Sequence, residues 1–202
     1  MMQQRKNHHF YSIGLLNSFH PLSAPFKNYL SKVLVHSHFE KGDFIAKKGD
    51  ICDRIHIVRK GLVRGYFDYN KNEITTWVSI ENEMVTSISG FFRNEPALEN
   101  IQCLEDTYTE SLSYEDMHDA LQKFQEMSQL NRILMERYYV SAEHRSFMAR
   151  IPSAIDRYKY FLKITNNEML NRLPKKYLAS LLNMRPETLS RLDLNQLETI
   201  NN

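Results

Sequence analysis

From residue 31 to residue 112, apolar and polar positions alternate in short runs. KVLVHSHF, DFIAKKGD, RIHIVRKGLVRGYFDY, EITTWVSI and NIQCLED each place β-branched or aromatic residues at a period of two, the mark of strands with one buried face. Gly42, Gly49, Gly61 and Gly65 punctuate the runs, and Asn70-Lys71-Asn72 reads as a hairpin turn. No 3.6-residue period appears here. Many short strands at even spacing predict an antiparallel barrel or jelly roll.

At Ser113 the period changes. SYEDMHDALQKF puts a serine at a helix N-cap with acids in the first turn. Met127, Leu130, Leu134, Tyr138, Ala142 and Met148 then recur at helical spacing through a stretch without Gly or Pro. This predicts one long helix over 126–150. Its apolar face exceeds what one barrel can cover, so pairing with a second copy is expected; a single helix lying along its own domain is the alternative. Pro152 ends it, and Ser153 with Asp156 three residues on caps the next helix.

The last stretch carries the chemistry. In LPKKYLASLLNMRPETLSRL, Pro174 fits a first helical turn, and Tyr177, Leu178, Leu181 and Leu182 supply an apolar face. Ala179 is small where another helix must approach. Asn183, four residues on, is a residue type that accepts left-handed φ. Pro186 starts a further helix with Leu189 and Leu192 inward, leaving Arg185, Glu187, Thr188, Ser190 and Arg191 outward. That is the spacing of a helix-turn-helix. Arginine can contact guanine bidentately, glutamate accepts from cytosine, and Thr or Ser can bond bases or phosphates. Lys175, Lys176 and Arg172 are expected where phosphates pass. Two adjoining core helices would need neither Ala nor Asn at those places.

Charge sharpens this picture. The 202 residues carry a net charge of +2. Residues 150–202 hold nine Lys/Arg against five acids, and the remainder is mildly acidic. A basic C-terminal piece suits a polyanion. Composition, 42% apolar and 25% charged, is that of an ordinary soluble protein. No run approaches the ~18 apolar residues of a membrane span. The start, MMQQRKNHHFYSIGLL, lacks a signal-peptide pattern, so a cytoplasmic location is expected. Cys52 and Cys103 are too few for a disulfide scaffold or a four-thiolate cluster and read as buried hydrophobes.

Taken together, these residues resemble the Crp/Fnr superfamily of transcription regulators. FEKGDFIAKKGDICDRIHIVRKGLVRGYF is similar to its N-terminal roll. SLSYEDMHDALQKF is similar to the helix after the roll, and Glu126 to Arg150 to its dimerisation helix. LPKKYLASLLNMRPETLSRL resembles the helix-turn-helix of the short regulators common in Bacteroidetes. The likeness runs from about residue 10 to residue 192.

It implies an α+β chain in three parts. These are an antiparallel double-stranded β-helix (jelly roll) with flanking helices as a sensory domain over 1–125, a dimerisation helix over 126–150, and a helical DNA-binding domain over 151–202. The implied function is a homodimeric transcription regulator binding double-stranded DNA, with RNA polymerase a further partner and no enzymatic activity. The DNA-contacting candidates are Lys175, Lys176, Arg185, Glu187, Thr188, Ser190 and Arg191.

The family's recognition helix reads Arg-Glu-Thr-x-x-Arg in its catabolite-activator member. Glu187, Thr188 and Arg191 match, while Pro186 replaces the first Arg, so a different half-site is expected. Cyclic-AMP-binding members carry Gly-Glu and Arg-Ser in the segment that corresponds to MVTSISGFFRNEPALENIQC. Here Ser87-Ile88 and Leu98-Glu99 stand in those places, and Arg93 is displaced. A carboxylate at Glu99 would repel a cyclic phosphate. The roll is therefore expected to take an unknown small-molecule effector or nothing, with no resident cofactor. Candidate lining residues are Trp77, Ser87, Ile88, Ser89, Glu99 and Asn100; Phe91 and Phe92 read either as lining or as core. LDLNQLETINN ends the chain with Asp193 and Glu198 where phosphate contacts are expected. This favours a second reading, a sensor-like dimer that binds a protein partner and holds DNA weakly. A metal-dependent cupin, suggested by His36, His38, Glu40 and His56, fails on spacing. No Gly-x-Ser-x-Gly or phosphate-cradling loop supports catalysis.

Overall fold

A computed structural model describes residues 10–192. His8, His9, Asp193 and Glu198 lie outside the described residues. Two helices open the chain, α1 (Tyr11–Phe19) and α2 (Ala24–Val33); Ser23 caps α2, with its hydroxyl accepting from Phe26 N–H and Pro25 in the first turn. Eight strands follow: β1 (Val35–Phe39), β2 (Phe44–Ala46), β3 (Arg54–Lys60), β4 (Val63–Tyr69), β5 (Asn72–Ser79), β6 (Met84–Val85), β7 (Asn100–Cys103) and β8 (Thr107–Ser113). The short helix α3 (Ile88–Arg93) interrupts them.

The strands form two four-stranded antiparallel sheets, β1-β8-β3-β6 and β2-β7-β4-β5. Between them lie Ala46, Val58, Val63, Val85, Ile101 and Cys103, all buried. This is the jelly roll that the alternation predicts. Asn70 and Lys71, with φ of 49° and 66°, form the tight turn between β4 and β5, a backbone twist that matches the strands it joins. Cys52 and Cys103 are free and buried, and burial pushes the Cys103 thiol up to about 11.

Helix α4 (Tyr114–Lys123) is capped by Ser113, whose hydroxyl accepts from Asp116 N–H. Helix α5 (Gln125–Arg150) runs 26 residues, about 39 Å at 1.5 Å per residue. Only Met127, Leu130 and Met148 of this helix are buried, while Tyr139 is 70% exposed and Phe147 52%.

After the break at Pro152 come α6 (Ala154–Ile164), α7 (Asn167–Arg172) and α8 (Lys175–Leu181), then a helical segment at 186–192. Met148, Phe161, Leu178, Leu182 and Leu189 form the core of this end, and Leu62, Ile80 and Leu104 of the roll join the same cluster. The two lobes therefore share apolar surface. No helix among the described residues is long and apolar enough to cross a membrane.

Candidate functional site

The turn between α8 and the 186–192 helix is built around Asn183, which sits at φ 49°. Its N–H donates to Ser180 O at 3.0 Å and Met184 N–H donates to Ala179 O at 3.0 Å. These bonds satisfy carbonyls that the helix end would leave orphaned. Ala179 is 1% exposed and Leu189 fully buried, so the two helices close on each other at the small residue. On the far side Arg185, Glu187, Ser190 and Arg191 are exposed and Thr188 is half-buried. Lys175 and Lys176 are exposed at the start of α8, the Lys176 ammonium lying 4.5 Å from the centroid of the Tyr177 ring.

Arg157, only 9% exposed, holds this motif from behind. It donates to Leu182 O at 2.7 Å and Asn183 O at 3.0 Å in the turn, and to Ile151 O and Pro152 O at the break after α5. One guanidinium thus ties the helix-turn-helix to the end of the long helix. The sequence carries no signal for this, because an arginine in α6 reads as a surface residue until its four carbonyl partners are brought together.

The same lobe is fastened to the roll. Ser180 Oγ accepts from Thr75 N–H at 2.9 Å and donates to Glu73 O at 3.1 Å, occupying the outer edge of β5. The buried Arg64 guanidinium lies between two rings, 4.0 Å from the Tyr66 centroid and 3.8 Å from that of Tyr177. It also bonds Glu73 and Gln102. Arg172 corrects an expectation: it does not face outward as a phosphate contact. It binds Glu81 at 2.8 Å and Glu105 at 2.7 Å on the roll, and Glu168 on its own helix at 3.1 Å. Carboxylates that meet a guanidinium bidentately hold it more firmly than a surface charge would be held.

A cavity of about 770 Å³ lies between the roll, α5 and the C-terminal helices. Of the candidate ligand-lining residues, Trp77, Ile88 and Glu99 border it. Trp77 faces Gly65 on the neighbouring strand, where a Cβ would meet the indole at 2.1 Å, so only glycine leaves room for the ring. The indole N–H donates to Glu99 Oε2 at 2.9 Å, and the Thr76 hydroxyl donates to the same oxygen at 3.4 Å. Burial raises the Glu99 carboxyl above its usual range, against the pull of those two donors and of Arg145.

Ser87, Ser89 and Asn100 were expected beside them and do not line the cavity. Ser87 is buried at the start of α3, where its carbonyl accepts from Phe91 N–H. Asn100 turns away from Glu99, accepting from Lys48 N–H and approaching Asp68, because neighbouring residues of an extended chain face opposite sides. Phe91 is core. Arg93 is on the surface beside Glu95. Arginines do reach the cavity, but from α5: Arg137 and Arg145. Helical periodicity shows which residues of α5 share a face, not which face meets the roll.

His36 stacks on Phe10 and His38 on Tyr108, and no cluster of three metal-ligating side chains occurs among the described residues.

Residues 36–124 match the family described as the cyclic nucleotide-binding domain. No curated protein matches the chain. Among solved structures it is similar to FixK2 from Bradyrhizobium japonicum, with a TM-score of 0.72 and 16% identity over 84% of this chain and 86% of that one. It is also similar to a CooA mutant from Carboxydothermus hydrogenoformans, with a TM-score of 0.70 and 17% identity over 92% and 84%. A regulator ascribed to the Crp/Fnr family from Eubacterium rectale aligns with a TM-score of 0.66 and 18% identity over 88% and 85%. Residues 36–124 thus match the cyclic nucleotide-binding domain family, and the chain as a whole shares the fold of these solved structures.

Proposed function

We propose that this protein is a DNA-binding transcription regulator that acts as a homodimer, with the 186–192 helix reading the major groove. The observation that carries this is the left-handed Asn183 closing α8 against a helix whose Arg185, Glu187, Ser190 and Arg191 stand in solvent. Pairing along α5 would cover Tyr139, Val140 and Phe147, large apolar side chains that its own chain leaves exposed. A two-fold pair of readers would then address a palindromic site. Lys175 and Lys176 supply the phosphate contacts, and RNA polymerase is a partner the reading allows without specifying a surface.

The effector is not cyclic AMP bound in the usual way. Glu99 stands in the cavity wall, and the α3–β7 segment contributes no arginine to it.

Retention of genomic DNA fragments at two salt concentrations tests the reading, since phosphate contacts make affinity fall steeply with salt. Salt-dependent retention is the expected result. Absence of retention at low salt would remove the DNA reading and leave a dimeric protein-binding module.

A further inference from the structure

The cavity's two walls carry opposite charge. Glu83 and Glu99 line it from the roll and Arg137 and Arg145 from α5, while the other two lining carboxylates are already paired, Glu81 with Arg172 and Glu136 with Arg132 on its own helix. None of the four makes an ion pair among the described residues. Each is held on its own side instead. Glu83 accepts from Ile80 N–H, and Glu99 accepts from Thr76 and Trp77, both through Oε2. Arg145 donates to Ser141 on its own helix at 2.7 Å, and Arg137 lies 4.4 Å from the centroid of the Phe19 ring. The space between is floored by Trp77, Ile88, Leu134 and Met148. Burial raises both carboxyls, and Arg145 acts on each in the opposite direction, so the walls feel one another across the gap without closing it.

An anion alone meets repulsion from one wall, and a cation alone from the other. Only a dipolar molecule satisfies both. We propose that this cavity binds a zwitterion with an apolar body, its cationic end on the Glu83 and Glu99 wall and its anionic end on Arg137 and Arg145. The proposal rests on reading the cavity as the effector site. About 770 Å³ is the size of a drug-like ligand site, which suits a short apolar peptide with free termini better than a single amino acid. Phe161, Ile164 and Met169 of the C-terminal lobe also line it, so such a ligand touches the roll, the long helix and the lobe that carries the reader.

Trp77 is the only tryptophan in the chain and lies in the cavity wall, so its fluorescence reports occupancy directly. The probes are uncapped dipeptides of Phe and Leu, their N-acetyl and C-amide forms, and cyclic AMP, each titrated into the full chain. We expect a saturable change for uncapped peptides and an affinity loss of about tenfold or more on capping either end, the scale of one charge-assisted contact. Arg145→Gln should erase the discrimination against the amide, and Glu99→Gln the discrimination against the acetylated form. Equal binding of capped and uncapped peptides, no saturable change, or tighter binding of cyclic AMP would overturn the proposal. The capped ligands need no variant, so a folding defect in either substitution leaves the test standing. DNA retention measured without peptide judges the reader separately.

Discussion

Arg157 donates to the carbonyl oxygen of Asn183 at 3.0 Å, binding the first turn of α6 to the left-handed residue that follows α8. Its other bonds go to Leu182, Ile151 and Pro152, so the turn after α8 and the end of α5 hang from one side chain. Replacing it with alanine leaves four carbonyls short of a charged donor in a place that is 9% exposed. Arg157→Ala should destabilise the C-terminal lobe by about 3 kcal/mol or more. Urea unfolding followed by circular dichroism measures the change. An effect below about 1 kcal/mol would mean that water replaces the guanidinium without loss.

The bridge from Arg172 to Glu81 and Glu105 works differently, because its members are partly exposed. Removing Arg172 should cost about 1 kcal/mol or less in global stability. Its effect should appear in how tightly the lobes dock. Burial raises the Glu81 carboxyl, but the Arg172 bonds and the Gly61 N–H more than offset that, leaving it below the ordinary 4.5. A depressed carboxylate contributes its share fully above the unfolded value and loses it as pH falls through the folded one. Docking should therefore loosen below about pH 4.5. Arg172→Ala should show the looser state at neutral pH, read as faster proteolysis between α5 and α6.

His56 predicts a second pH dependence, inside the roll. Its ring is 6% exposed, with Nδ1 3.0 Å from Thr109 Oγ1. Burial, with the Arg54 charge added, lowers its pKa from 6.5 to about 4. The folded protein resists the proton that the unfolded chain accepts, so stability is full above pH 6.5 and falls between there and pH 4. The difference is about 3 kcal/mol over that window. His56→Gln should flatten this part of a denaturation profile taken against pH. An unchanged slope would place the proton uptake elsewhere.

On DNA the exposed cations should separate by role. Lys175→Ala and Lys176→Ala should each weaken binding to all sequences alike and reduce the salt slope by about 0.9. Arg191→Ala should cost about 1–3 kcal/mol on a preferred site and relax the choice of base there. Competition titrations with specific and random duplexes distinguish the two patterns.

The strands, the caps at Ser113 and Ser153 and the turns at Asn70 and Asn183 were readable from residue order, because each depends on neighbours a few positions away. Helix α3, inside a segment that reads as a ligand loop, was not foreseen. Of the cavity wall, Trp77 lies in a strand that the alternation shows and Glu99 was named from the family resemblance, while Arg137 and Arg145 arrive from a helix whose orientation local periodicity leaves open.

What the sequence determined by itself is the local grammar: the period of two, the long uninterrupted helix, and the small residue and left-handed asparagine that shape the turn after α8. Tertiary structure decided the partners of the buried and half-buried charges. Arg64, Arg157 and Arg172 look alike along the chain. They differ because packing takes each out of water beside a different set of acceptors: two aromatic rings with a carboxylate, four carbonyls, and three carboxylates. A charge can leave solvent only where such partners converge, and that convergence exists only once the chain has closed on itself.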